Sequence, residues 1–410
     1  MTPYLQQRAL LFQPLPRKPS SQLGLVIVIP ACRDQQLLLC LMALHRCTLP
    51  DSDVDIIVVI HDSEADAPEA RALNLSIGAD AERWAKRHNS TRRWFHIVYH
   101  CGMPRRDAGP ELARKIGLDE ACRRLEQVGN SKGVIACLDS GSRCAANYLS
   151  ELELHFRANY QCPASSIYFE YPLKGAEHPY ETYVAAANHE LSLRYLVQSQ
   201  RYAGYPYSFH TQGPGMAVRC DAYQQYGNMN AWRANKDLPF LHSFTALPHF
   251  LELTSTCIHV SPQLSDRLPS QHKTLIHNNL YRPEQLKTYS FQIFEDLRLL
   301  FQNIPLLFHG NFDDLPLPES LRGFSQEIGA ASKIAELRRI AADPDTFQLN
   351  FFSWFNHLMI KKFARFAKDH YYPDVPLTTA CKALLAALGV DAENDTFTML
   401  RLFRQRDQST

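Results

Sequence analysis

The chain has 410 residues and carries 43 Lys and Arg against 42 Asp and Glu, a formal net charge of +1. That balance excludes a general nucleic-acid binder, whose domains are strongly basic. Hydrophobic residues at 45% and charged residues at 21% belong to a globular chain long enough for two domains. Eleven cysteines, an odd number without a CxxC pair, argue against a disulfide framework or a cysteine metal site and for reduced, cytoplasmic thiols.

Residues 1–22 read as an arm. Met1 to Ser20 lacks the apolar run of a secretory signal, and no stretch approaches the ~20 apolar residues that span a bilayer. The expectation is a soluble cytoplasmic protein, at most peripheral at the inner face of the membrane.

Leu23 to Pro30 is a first buried strand, followed by the loop Ala31-Cys32-Arg33-Asp34 and a helix from Gln35 to Arg46. Val54 to Ile60 is a second strand ending in His61-Asp62-Ser63-Glu64, and Trp94 to Tyr99 a third after a polar helix. Pro110 to Val128 is an amphipathic helix with Glu111 in its first turn, favourable for the helix dipole. Val134 to Leu138, apolar or small throughout, is a fourth strand buried on both faces, and it stops at Asp139. Strand and helix thus alternate from Leu23 to Leu154, which predicts βαβ units and a mainly parallel sheet.

Asp34, Asp62 and Asp139 each stand at a strand end, where open α/β sheets collect their ligands. Carboxylates there suit Mg²⁺ or Mn²⁺ shared with substrate phosphates. Asp139 has a second reading, as a turn former or as N-cap of a helix beginning near Ala145.

Ala164 to Tyr171 reads as a strand, Tyr180 to Gln200 as a helix, and Gly213 to Val218 as the entry to a short strand. Asp221 to Tyr226 is a helix stopped by Gly227, Asp237 opens another to about Leu251, and Thr254 to Val260 is a strand. From about Leu275 the pattern becomes helical, so the domains read as a 1–22 arm, 23–280 and 281–410. Phe351 to Tyr372 reads as one helix, with Phe351, Trp354, Phe355, Leu358, Met359, Phe363 and Phe366 in a stripe among Lys361, Lys362, Arg365 and Lys368. Such a helix either packs on its own domain or makes peripheral contact with an anionic membrane.

Six segments in order resemble family 2 glycosyltransferases with the GT-A fold. VIVIPACRD (Val26 to Asp34) is similar to their opening "hIPhhNE", and VVIHDSEAD (Val58 to Asp66) to the second strand with its "DGS"-type end. GPELARKIGLDEA (Gly109 to Ala121) resembles the "GhxxARNxGhxxA" helix, and ACLDSGSRCAANYL (Ala136 to Leu149) stands in the place of the metal-binding "hLDADxxhxxxxL". GPGMAVRCDAYQQYGNMN (Gly213 to Asn230) resembles the acceptor-side segment, and Lys236-Asp237 falls where the family has Glu-Asp.

The resemblance covers about residues 23–270 and implies an α/β, GT-A-type fold: a mostly parallel sheet flanked by helices, with an added C-terminal helical domain. It implies an inverting transfer of a sugar from a nucleotide-diphosphate sugar donor to a hydroxyl of a glycan or lipid-linked acceptor. Pro30, Asp34, Asp62, Arg114, Asp139 and Ser140 would then line the donor, with Asp139 as ligand to a divalent metal, Mg or Mn. Gly213, Gly215 and Met216 would face the acceptor, and Asp237 would be the general base; without the resemblance Asp237 is an N-cap.

Two residues depart from the pattern. Gly141 replaces the second metal carboxylate, and Lys236 reverses the charge beside Asp237, favouring that carboxylate's ionised form. Both suit the alternative of a degenerate, non-catalytic nucleotide-sugar-binding protein. A dinucleotide-binding oxidoreductase would need GxGxxG after the first strand, where Pro30-Ala31-Cys32-Arg33-Asp34 stands. His259 and His272 are further candidates for metal or phosphate and Arg267 for diphosphate. Trp232 and Tyr202, Tyr205 and Tyr207 are candidates for sugar stacking. Structural roles are the rival reading for each.

Overall fold

The computed structural model describes residues 2–10, 15–106, 108–211, 215–227, 243–262, 286–310 and 312–409. The chain folds into two compact units, Met1–Pro172 with Phe209–Ser261, and Leu173–Ser208 with Pro262–Thr410.

In the first unit, α1 (Pro3–Gln7) precedes β1 (Leu23–Ala31), α2 (Leu37–Arg46), β2 (Asp53–Ser63), α3 (Pro68–His88), β3 (Arg93–Met103), α4 (Pro110–Gln127) and β4 (Val134–Leu138). There follow β5 (Arg143–Cys144), α5 (Tyr148–Ala158) and β6 (Ala164–Glu170). After α6 (Tyr180–Ala203), which belongs to the second unit, come β7 (Gly215–Arg219), α7 (Cys220–Tyr226) and β8 (Leu251–His259). The eight strands form one sheet in the order β3-β2-β1-β4-β7-β6-β8-β5. β3, β2, β1 and β4 pair in parallel, and so do β6 and β8; β7 and β5 run against their neighbours. This is an α/β architecture, a mixed but mostly parallel sheet flanked by helices.

The order places the site. The chain builds outward from β1 to β2 and β3, then crosses back to lay β4 on the other side of β1, with Leu25 opposite Val134 and Val28 opposite Cys137. Loops leaving β1 and β4 must therefore diverge, and the crevice between them is the topological switch point of the sheet. β1, β2 and β4 are buried almost throughout, as their unbroken apolar runs require. Gly117 lets α4 lie close on β1, since a Cβ there would stand 2.3 Å from Val28 Cγ1. That approach carries Arg114, one turn earlier, toward the end of β4.

The N-terminal segment is anchored on this unit. Tyr4 is buried and its hydroxyl donates to Asp119 Oδ1 at 2.7 Å, while Lys115 Nζ bonds Asp119 Oδ2 at 2.8 Å and Tyr223 donates to the same carboxylate at 2.8 Å. A buried carboxylate is tolerable only when ringed by donors in this way.

The second unit contains α6, then β9 (Lys287–Thr288), α8 (Gln292–Gln302), α9 (Ile304–Leu307), α10 (Glu319–Ile328), α11 (Ala330–Ile340), α12 (Pro344–Trp354), α13 (His357–His370), β10 (Val375–Pro376), α14 (Leu377–Ala387) and α15 (Thr396–Ser409). α6 is tied to α15 by a buried ionic lattice: Arg194 bonds Glu190 at 2.7 Å and Asp407, and Arg404 bonds Glu190.

The single helix expected over 351–372 is two helices. α12 stops at Trp354, and Asn356 caps α13, its side chain accepting from Leu358 N at 3.0 Å. The aromatic stripe is interior: Phe351, Phe355 and Phe363 are at most 3% exposed. Leu358, Lys361, Lys362 and Arg365 form the exposed face of α13. Among the described residues no helix is long and apolar enough to cross a membrane.

Candidate active site

At the switch point β1 ends in Ala31, and the chain turns through Arg33, a non-glycine residue in the left-handed region at φ 53°. Such backbone persists only where its surroundings hold it. Here Asn74 of α3, fully buried, accepts from Arg33 N–H at 2.9 Å and donates to His61 C=O at 2.9 Å. One amide thus joins the loop after β1 to the last residues of strand β2. α3's buried face is Asn74, Gly78, Ala81 and Ala85, a row of small residues in which the asparagine is the one polar member. That row is a signal in the sequence that could have found it. Asn74→Leu would strand both backbone groups, at about 1–3 kcal/mol each. A lowered urea midpoint is expected; an unchanged midpoint would mean that the amide holds nothing.

The turn at Arg33 aims Asp34 at the neighbouring loop. Its Oδ2 accepts from Ser140 Oγ at 2.7 Å and its Oδ1 from Gln36 N–H at 3.0 Å. The other loop is a β-turn closed by Ser142 N–H to Asp139 C=O at 2.9 Å. Asp139 is therefore a turn former through its backbone, but it is not a helix N-cap: α5 begins at Tyr148, with Asn147 in the cap position. Its side chain is 49% exposed, and Oδ1 meets Arg114 Nη2 at 3.1 Å. Ser140 and Ser142 are each 1% exposed, so the turn is rooted while Asp139 stands out from it. The structure thus brings together Asp34, Asp139, Ser140 and Arg114.

The thiol of Cys40, on α2 beneath them, is pushed up by burial and then by the charges of Asp34 and Asp139. One buried group senses both carboxylates.

Asp62 belongs to a different cluster. It is buried, accepts from Gly102 N–H at 2.6 Å, and lies 3.9 Å from Arg71 Nε, at the junction of β2 and β3. Pro30 is an interior residue of β1, paired with Val59. Gly215 and Met216 lie beside the end of β4, opposite Leu138 and Cys137. Gly215 also has a packing reason, because a Cβ there would stand 2.0 Å from Ile258 Cδ1. His259 pairs in register with Arg143, just past the Asp139 turn, and its side chain is exposed. Tyr205 and Tyr207 pack edge-on to each other and to Phe352 within the second unit. Asp237, Lys236, Gly213, Trp232, Arg267 and His272 lie outside the described residues.

The donor set fits a hard divalent cation. Mg²⁺ and Mn²⁺ take oxygen ligands, and Mg²⁺ commonly binds through one or two carboxylates together with substrate phosphates and water. Among the described residues no group of three or more His, Cys, Asp or Glu converges. Asp139 would hold such a cation only in company with a phosphate ligand and water.

No protein-family model matches the sequence, and no curated protein matches it. Among solved structures, S. aureus TarS 1–349 is similar over 81% of this chain and 91% of its own, at 10% identity and TM-score 0.39. The same protein in complex with UDP-GlcNAc matches over 95% of this chain and 93% of its own, at 10% identity and TM-score 0.37. The mannosyltransferase PcManGT from Pyrobaculum calidifontis, in complex with GDP-Man and Mn²⁺, matches over 98% and 89%, at 12% identity and TM-score 0.30.

Proposed function

We propose that this chain is a glycosyltransferase that moves a sugar from a nucleotide-diphosphate sugar to a hydroxyl of a glycan or lipid-linked acceptor. The observation that carries the reading is the convergence of Asp34, Asp139, Ser140 and Arg114 at the switch point between β1 and β4, where an open α/β sheet binds its ligand. The motif order from Val26 to Asp237 supplies the chemical class.

In this reading Arg114 and the Ser140 turn face the diphosphate, a guanidinium being suited to paired phosphate oxygens. Asp139 would hold a divalent cation whose chemistry is to offset the charge that develops on the departing diphosphate, with Asp34 beside the same pocket. Asp237 takes the proton of the acceptor hydroxyl as its oxygen bonds to the sugar's anomeric carbon. The bond from that carbon to the diphosphate oxygen breaks, nucleoside diphosphate leaves, and the configuration inverts. Asp62 and Pro30 complete the donor side and Gly213, Gly215 and Met216 the acceptor side. The face of Leu358, Lys361, Lys362 and Arg365 is the part of 351–372 that would meet an anionic membrane.

The test is a thermal-shift panel of UDP- and GDP-sugars with and without Mn²⁺, because a ligand that binds the native state raises its melting temperature by mass action. A shift with one nucleotide class, followed by Mn²⁺-dependent release of that nucleoside diphosphate, is the expected result. No shift with any nucleotide sugar would overturn the reading. A shift without turnover on any acceptor or water would select the non-catalytic binding protein, which Gly141 and Lys236 favour.

A further inference from the structure

We infer that Asp34, on the loop after β1, supplies the second carboxylate of the cation and diphosphate subsite, in the space that Gly141 leaves open. The inference rests on the donor-binding reading above and concerns which residues build that subsite. In the sequence pattern the chain resembles, both carboxylates belong to the loop after β4, at 139 and 141 here. Position 141 carries no side chain, which in sequence reads as a lost ligand.

The geometry shows what stands beside it. A Cβ built on Gly141 would lie 3.2 Å from Asp34 Oδ2, 4.0 Å from Asp34 Cγ and 3.6 Å from Ser261 Cβ, so a side chain at 141 would point at the carboxylate of Asp34. Backbone conformation does not explain the glycine, since Gly141 is not among the positive-φ residues. The neighbouring carboxylate does: an aspartate at 141 would crowd Asp34 with like charge.

Asp34 is also held in place. Ser140, 1% exposed, donates to Oδ2; Gln36 N–H fixes Oδ1; and the left-handed turn at Arg33, clamped by Asn74, sets the direction of approach. Positioning of this kind is what a ligand group needs. Two carboxylates from two diverging loops, with Arg114 on Asp139, make a subsite for a hard cation that also carries diphosphate oxygens. The loss at 141 is then a relocation of the ligand from one strand end to the next.

The test is Mn²⁺ titration of the full-length protein followed by electron paramagnetic resonance, with UDP in one arm and GDP in the other. The variants are Asp34→Asn, Asp34→Ala, Asp139→Asn and the double Asp34→Ala/Gly141→Asp, each checked for an unchanged melting temperature without ligand. Asp34→Asn and Asp34→Ala are expected to weaken Mn²⁺ binding about tenfold or more. The double variant should recover most of it, which loss of mere structural support would not allow. Asp34 variants that bind Mn²⁺ like wild type, while Asp139→Asn does not, would overturn the inference and leave the donor reading standing. Wild type that binds UDP or GDP without any Mn²⁺ dependence would overturn the inference and the cation role together. Wild type that binds neither nucleotide would sink the donor reading itself.

Discussion

Asp139→Ala is expected to erase the Mn²⁺-dependent part of the donor's thermal stabilisation while leaving the ligand-free protein's melting almost unchanged. The two halves of this expectation have separate physical causes. A ligand present at a hundred times its Kd stabilises the native state by about 2.7 kcal/mol, and the share that depends on the cation disappears with its ligand oxygens. The structural contribution of Asp139 is small. Its carboxylate is 49% exposed, and its pairing with Arg114 at 3.1 Å is worth at most about 1 kcal/mol for so exposed a pair. The turn it begins is closed through its backbone carbonyl, which alanine keeps. A large loss of ligand response with little loss of fold is thus the signature of a binding group. If Arg114 binds the diphosphate as proposed, a residual shift without metal should persist. A Mn²⁺-dependent shift of wild-type size in the variant would remove Asp139 from the site.

The parts of this architecture legible in sequence are those whose signal is local. Val134–Leu138 and the runs in β1 and β2 are buried on both faces, so every residue is apolar or small and the strands show without reference to their partners. Turn chemistry at their ends then marks Asp34 and Asp139. What could not be read depends on partners far along the chain. β7 is antiparallel between β4 and β6, yet five residues ending at Arg219 carry no mark of direction. The row Asn74, Gly78, Ala81 and Ala85 marks Asn74 as facing inward, but not that Arg33 and His61, 41 and 13 residues away, are what its amide holds. The break between α12 and α13 is hidden by aromatic residues that are buried on both sides of it. Gly141 is the sharpest case. Sequence alone registers a missing carboxylate, because the group standing beside that position is 107 residues earlier, on a different strand end.

Asp237→Asn is expected to keep donor binding and Mn²⁺ response intact while turnover falls by about 10²–10⁴-fold, the contribution of a positioned general base. Asparagine retains the shape and hydrogen-bonding capacity of the side chain and removes only its ability to accept a proton. The substitution therefore divides the reading into its two claims. On the proposed reading donor affinity depends on the groups after β1 and β4. Transfer depends on ionising the acceptor hydroxyl as its bond to the anomeric carbon forms, and there a neutral amide cannot substitute. A helix N-cap, the rival role for Asp237, predicts the opposite division. Asparagine caps about as well as aspartate, so turnover would survive. Measured under saturating donor, a collapse in kcat with an unchanged thermal shift assigns the proton transfer to Asp237. Retained kcat would return that residue to a structural role and require another group to take the acceptor's proton.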